Sequence, residues 1–197
     1  MALNITITGN GFARLSEAVR ALGERRAHTA YSRAINHSGR TSGNAAGRAL
    51  AKQTGLPART TRKAVQQRVT RSTPATLTYI VHGSGGNISL RHFKARETRR
   101  GVSAQPWGQR KVFASTFMKA GFWPKRVEKP GWNRQVFRRT GGTTSTGMDK
   151  FEKVKSDLYI PTEMTQGATA QAWGQGTRAL QNRIAHEIRR FTKGAVT

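Results

Sequence analysis

The residue types that most often carry enzyme chemistry are few and scattered in this sequence. Its histidines are His28, His37, His82, His92 and His186, and no two of them have the i, i+4 spacing of a helical zinc site. The chain has no cysteine, which excludes disulfides, thiolate metal ligands and cysteine nucleophiles. We therefore expect no metal centre and no cofactor.

Two further enzyme motifs are incomplete in this sequence. Ser84 lies in a glycine-rich run, but the strand, exposed serine and helix order of a hydrolase nucleophile elbow is missing. A nuclease that binds Mg²⁺ needs several carboxylates, and Glu97 and Glu128 are the only two in the basic middle of the chain. The sequence predicts that the protein is not an enzyme. A nuclease would have to show Mg²⁺-dependent cleavage that is lost when Glu97 or Glu128 is changed.

Charge is the strongest signal in the composition. The chain has 35 Lys and Arg against 9 Asp and Glu, a net charge of +26, and residues 55–141 alone hold 19 basic and 2 acidic residues. A chain this basic is expected to bind a polyanion or an acidic protein surface. Nucleic acid is the obvious polyanion.

Basic and aromatic residues are interleaved in the middle segment. Such mixing serves single-stranded nucleic acid by stacking, but aromatics that pack a sheet beneath a solvated cationic face explain the same pattern, and we favour that interpretation for the aromatics. For the cations, phosphate contact without base reading is a credible role. The candidate contacts with nucleic acid or an acidic partner are Arg91, Lys94, Arg96, Arg99, Arg100, Arg138 and Arg139.

Residues 48–65 have the look of a helix-turn-helix. Gly55 would form the turn, and Arg59, Arg62 and Lys63 would face a major groove. Thr61, however, occupies a position where a recognition helix usually buries an aliphatic side chain. A plain pair of capped helices inside a larger subunit is the favoured interpretation, and a DNA-binding regulator is the alternative.

The elements that position these residues follow from hydrophobic spacing. Residues 3–8 predict a strand with Leu3, Ile5 and Ile7 on one face, closed by a turn at 9–11. A long helix follows from Phe12 to about His37, and its alanine-rich stripe allows close approach of another helix. Ala30, Ala34 and Ile35 on this stripe are the predicted subunit interface. Residues 38–43 predict a break, followed by helices at 44–52 and 57–67.

After residue 69 the spacing becomes that of strands. Residues 76–81 and 88–93 predict a hairpin, and further strands are expected at 100–106, 110–117, 134–139 and 150–155. The Gly, Thr and Ser tract near 140–147 predicts a flexible loop, and a final helix begins at Pro161.

Together these elements predict an α+β fold with long N-terminal helices, a central, mostly antiparallel β-sheet with long loops, and a C-terminal helix. The segments are a mainly helical 1–68, a basic, β-rich 69–160 and a helical 161–197, within one structural domain. Leu, Ile, Val and Phe make up about 18% of the chain, so a thin core is expected. Neither a signal peptide nor a stretch of about 18 apolar residues occurs, so we expect no membrane partner. The thin core favours an assembly subunit.

The order of elements resembles the minor tail protein Z family of long-tailed phages over nearly the full length. The matching segments are Ala30-Tyr31-Ser32-Arg33-Ala34-Ile35-Asn36, Lys52-Gln53-Thr54-Gly55-Leu56 before the basic helix at 59–68, and Val154-Lys155-Ser156-Asp157-Leu158-Tyr159-Ile160-Pro161, with a C-terminal helix ending Arg189-Arg190-Phe191.

The resemblance implies a structural virion protein that completes the tail at its head-proximal end and helps head–tail joining and DNA passage. It implies a ring, by analogy a hexamer, next to tail terminator, tail tube and head–tail connector proteins, with nonspecific phosphate contacts to phage DNA as a further expectation. The expected locations are the virion tail or neck and, during assembly, the host cytoplasm.

Overall fold

A computed structural model describes residues 1–5, 11–66 and 68–192. Ile7, residues 9 and 10 of the predicted turn, Gln67 at the end of the predicted third helix and the last five residues lie outside the described part. The side chains of Phe12 and Leu15, two members of the predicted helical stripe, also lie outside it.

The α+β class is confirmed. The helices are α1 (Gly11–Leu22), α2 (Glu24–Thr54), α3 (Ala58–Gln66), α4 (Ile160–Met164), α5 (Gly167–Arg178) and α6 (Leu180–Phe191). The strands are β1 (Ala2–Ile5), β2 (Val69–Thr70), β3 (Tyr79–His82), β4 (Asn87–Ser89), β5 (Arg96–Thr98), β6 (Gly101–Ala104), β7 (Lys111–Ala114), β8 (Thr116–Phe117), β9 (Phe137–Thr143), β10 (Asp149–Lys153) and β11 (Lys155–Tyr159).

The strands form four small antiparallel sheets. Their orders are β1-β3-β2, β10-β9-β8, β11-β4 and β5-β6-β7. The first sheet buries Leu3 and Ile5, as the alternating pattern predicted, with Leu3 opposite Val81.

The chain divides into two compact units, where the sequence predicted one domain of three consecutive segments. Unit 1 comprises Met1–Leu50, Ala58–Ser84 and Pro161–Thr197, and unit 2 comprises Ala51–Pro57 and Gly85–Ile160. The helical beginning and end of the chain therefore pack together, because each supplies elements that cover α2. The β-rich middle builds a core of its own.

Unit 1 is organised around α2. Helix α1 ends at Gly23, whose φ of +78° suits glycine at a helix C-terminus, and whose N–H bonds to the carbonyl of Val19 at 2.9 Å. The predicted single helix over 12–37 is therefore two helices.

The predicted break at 38–43 does not exist, since α2 runs through it. Ser38, Gly39, Ser42 and Gly43 are buried, and they are small because other elements approach closely there. A Cβ on Gly39 would lie within 2.6 Å of three ring carbons of Tyr79. The weak helix propensity of these residues is overridden by packing.

The predicted subunit interface is also wrong. Ala30, Ala34 and Ile35 have no exposed surface within the chain itself. The alanine stripe does allow close approach, but the elements that cover it come from unit 1. One of them is the segment at Ser72, whose carbonyl accepts bonds from Ser32 Oγ at 3.0 Å and Asn36 Nδ2 at 2.8 Å.

Unit 2 contains three of the four sheets. The predicted hairpin between 76–81 and 88–93 does not form, because β3 pairs with β1 and β2 whereas β4 pairs with β11. The predicted flexible loop near 140–147 is instead ordered: β9 extends to Thr143, and the N–H of Thr144 bonds to Met148 across a tight turn into β10. Cross-strand pairing with β10 supplies the order that the local sequence lacks.

The predicted C-terminal helix is three helices. Residues 165 and 166 separate α4 from α5, whose first residue, Gly167, has a φ of +58°, and Ala179 separates α5 from α6. The buried residues Trp173, Leu180 and Ile184 face the interior of unit 1, and the Trp173 indole donates to the carbonyl of Asn4 at 3.2 Å.

Candidate nucleic-acid interface

Within unit 1, residues 44–48 of α2 and the whole of α3 form a fixed helix pair. The fully buried hydroxyl of Thr61 donates to the carbonyl of Gly47 at 3.0 Å and lies 3.2 Å from the carbonyl of Ala58. Farther along, Gln66 Nε2 donates to Asn44 Oδ1 at 2.8 Å. These two cross-links hold the middle and the C-terminal end of α3 against α2.

Three exposed arginines line the groove between these helices. Arg48 comes from α2, and Arg59 and Arg62 come from α3, where their i, i+3 spacing places them on one face. The helix-turn-helix interpretation singled out Arg59 and Arg62 as DNA-facing but gave no contact role to Arg48, the first residue of its segment. Lys63, its third member, is exposed but does not line the groove.

The sequence-predicted cations of the middle segment are all exposed and all belong to unit 2. Arg138 and Arg139 follow each other in β9 and therefore point to opposite faces of the sheet. Arg139 is held in place, because its guanidinium lies 5.0 Å from the Phe117 ring and 5.1 Å from the Phe122 ring, and its Nε donates to Asp149 at 2.8 Å.

A second, smaller cavity is lined by Arg96, one of the predicted nucleic-acid contacts that precede Arg138 in the sequence. Lys119, Lys129 and Arg134 also line it, and these three were not among the predicted contacts. Glu97 and Glu128 line the same cavity and offset part of its positive charge. Arg99 and Arg100 occupy the turn between β5 and β6, and Lys94 precedes β5.

Glu97 is committed to an ion pair. Its carboxylate is 7% exposed and contacts the guanidinium of Arg126, whose side chain is 15% exposed. Among the described residues, no group of three or more His, Cys, Asp or Glu side chains is placed to hold a metal ion.

Arg91, the remaining candidate, is engaged on two sides. Its Nε donates to Nε2 of His92 at 3.1 Å, and its Nη1 donates to the carbonyl of Asn133 at 3.4 Å. Burial, and then the neighbouring guanidinium, lower the pKa of His92 below 6.5. The Nε2 atom that accepts this bond carries no proton.

Several aromatic residues of the middle segment pack in the interior of unit 2, as favoured above, whereas Phe122 and Trp123 are exposed. Phe93 and Phe137 are buried. Phe117, Trp132, Phe137 and Phe151 form a cluster in which every pair of ring centroids is 5.0 to 6.0 Å apart. Trp107 is 37% exposed.

Ser84 lies between strands β3 and β4, so the order is strand, loop, strand and not that of a nucleophile elbow. His82 at the end of β3 lies 3.0 Å from the hydroxyl of Thr70. No helix among the described residues is long and apolar enough to span a membrane.

Comparisons of this chain with protein-family models, with curated proteins and with solved structures find no match.

Proposed function

We propose that this chain is a non-enzymatic structural protein of a tailed-phage virion that completes the tail at its head-proximal end. The resemblance to the minor tail protein Z family supplies this assignment. The structural observation that best supports it is surface charge that the chain does not neutralise.

The few acidic side chains of the protein are largely occupied within the chain. Glu97 pairs with Arg126, Asp149 with Arg139 and Glu187 with Arg183. Asp157 accepts a hydrogen bond from Asn87 at 2.9 Å, and Glu163 accepts one from Gln166 at 3.2 Å. A net charge of +26 is thus left for neighbours to balance. Phage DNA and acidic tail or neck proteins supply the opposite charge.

Exposed apolar side chains support the presence of protein neighbours. Phe122 is 75% exposed, Trp123 50% and Val127 60%, within one stretch of unit 2. Grouped apolar exposure of this kind is typical of interaction surfaces. In the proposed ring, by analogy a hexamer, this stretch contacts a neighbouring subunit, while the buried Ala30, Ala34 and Ile35 stabilise unit 1 itself.

A DNA-binding protein is the second candidate, favoured by the three-arginine groove between α2 and α3. A regulator would prefer one DNA sequence even at raised salt, whereas a structural subunit that contacts DNA would bind all sequences alike and weaken steeply with salt.

Deletion of the gene from its phage tests the first proposal. We expect full heads and complete tails that fail to join, and joining restored when the wild-type gene is supplied from a plasmid. Normal yields of joined, infectious particles from the deletion would contradict the proposal.

A further inference from the structure

The groove between α2 and α3 combines positive charge, a concave shape and a fixed frame of two cross-linked helices. Guanidinium groups from two helices line it, and no carboxylate does. We infer that Arg48, Arg59 and Arg62 bind consecutive phosphates of a nucleic-acid backbone in this groove, without reading base sequence.

The charge around the groove favours a polyanion. Between Glu24 and Glu97 the chain has 14 Lys and Arg and not one acidic residue. No ion pair of Arg48, Arg59 or Arg62 occurs within the described residues. The cavity beside Glu97 differs, because two carboxylates line it together with its cations. The unneutralised groove therefore has the more favourable field for phosphate.

The groove is organised before any ligand binds. Thr61 is turned inward, to the carbonyl of Gly47, and at about 100° per residue its neighbour Arg62 lies beside that contact, where it lines the groove. Val65 is also buried, and the pair Asn44 and Gln66 joins the two helices beside the arginines. A rigid frame reduces the entropy lost when the side chains engage a ligand.

Guanidinium geometry favours phosphate and a backbone-only contact. The planar fork of arginine matches two phosphate oxygens at once, and the positive end of the α3 dipole lies at Ala58, next to Arg59. The three arginines line a depression between two helices, whereas a helix-turn-helix reads bases with side chains that project from one helix into a major groove. The groove therefore fits the phosphodiester backbone.

This site is independent of the tail assignment, because phosphate contacts can occur in any assembly that meets nucleic acid. Its test uses purified full-length protein and a fluorescently labelled DNA duplex of mixed sequence, titrated over a series of salt concentrations. The variant is R48Q/R59Q/R62Q. The matched control is R26Q/R189Q/R190Q, which removes the same charge from exposed helical positions of unit 1.

We expect the groove variant to bind DNA about tenfold or more weakly, and its plot of log affinity against log salt to be shallower by about 2 to 3, because each phosphate contact contributes about 0.9 to that slope. The control should keep the wild-type slope. R48K/R59K/R62K, which keeps the charges but loses the planar fork, should also keep that slope while binding more weakly than the wild type. A second duplex of different sequence should bind equally well.

Equal losses and equal slopes in the groove and control variants would overturn the inference, as would an absence of saturable DNA binding by the wild type. Displacement of DNA by inorganic phosphate at constant ionic strength would show a free-phosphate site and would also overturn it. Thermal unfolding checks that the variants are folded, and the single variants R48Q and R62Q, each expected to lower the slope by about 1, repeat the test with a smaller change.

Discussion

Thr61 donates its side-chain hydroxyl to the main-chain carbonyl of Gly47 at 3.0 Å, from a position with no exposed surface. A DNA-recognition helix would bury an aliphatic side chain here. The polar cross-link instead fixes α3 on α2 as part of unit 1. The helix-turn-helix pattern in the sequence thus corresponds to a real helix pair whose inner contact is a hydrogen bond.

Replacing Thr61 with valine should lower the free energy of unfolding by about 1 kcal/mol, because the shape is kept while a buried hydrogen bond is lost. Urea denaturation measures the change. The matched control is Thr60→Val, one position away and half-buried, which should stay within about 0.5 kcal/mol of wild type. If T61V were no more destabilising than T60V, the cross-link would have no energetic role.

Glycines in two helices should respond in opposite directions to alanine. Gly39→Ala in α2 places a methyl group against the ring of buried Tyr79 and should destabilise the protein by about 1 to 3 kcal/mol. Gly174→Ala in α5 meets no atom within 4 Å and should stabilise it by about 0.5 to 1 kcal/mol through helix propensity. Denaturation midpoints check both, and a stabilising G39A would contradict the packing of α2 on β3.

The small residues of α2 also show where sequence reasoning fails. A run of Ser, Gly, Arg and Thr at 38–43 has the composition of a loop, yet Gly39 faces Tyr79 and Gly43 lies near Val65 and Trp173. These partners are 22 to 130 residues away in sequence, so local propensity cannot indicate them. The same limit explains the missed pairing of β4 with β11, since strand partners are not encoded locally.

Sequence patterns predicted correctly those features that depend on residues adjacent in the sequence. The alternation that buries Leu3 and Ile5, the end of α2 before Gly55 and the start of α3 after Pro57 follow from neighbouring residues. In the candidate site, the spacing of Arg59 and Arg62 indicated a shared face. Arg48 could not be added from sequence, because only the packing of α3 on α2 brings it to the same groove.

Removing one partner of the buried Glu97–Arg126 ion pair should destabilise the protein more than removing both partners. Arg126→Met leaves the buried Glu97 carboxylate unpaired and should cost about 3 to 5 kcal/mol of stability, whereas the double variant E97M/R126M should recover much of that loss. Glu128→Gln at an exposed position is the control and should change stability by less than about 0.5 kcal/mol. Additive effects in the double-mutant cycle would contradict the pairing.

Acidification should destabilise the protein through His92 and His37. Burial is the main cause that lowers the pKa of each histidine. For His92 the positive charge of Arg91 lowers the pKa further. For His37 the charges of Arg183 and Arg40 lower it further, and the charge of Glu187 partly opposes them. A histidine whose pKa is lower folded than unfolded takes up its proton more readily when unfolded. Stability is therefore retained above about pH 6.5 and falls as the pH drops toward the folded-state pKa.

Proton NMR titration of the histidine ring signals measures the pKa values of His37 and His92 directly. Both midpoints should lie below 6.5, and Arg91→Gln should raise that of His92 by removing a neighbouring positive charge. A His92 midpoint above 6.5, or one that R91Q leaves unchanged, would contradict the contact with Arg91.

The location of the protein in the phage particle tests the central claim most directly. Electron microscopy of intact virions, with the protein carrying a small peptide tag labelled by gold-conjugated antibody, gives its position along the tail. We predict label at the head-proximal end of the tail in joined particles and in isolated tails. Label confined to the distal tip, or particles that lack the protein, would contradict the account.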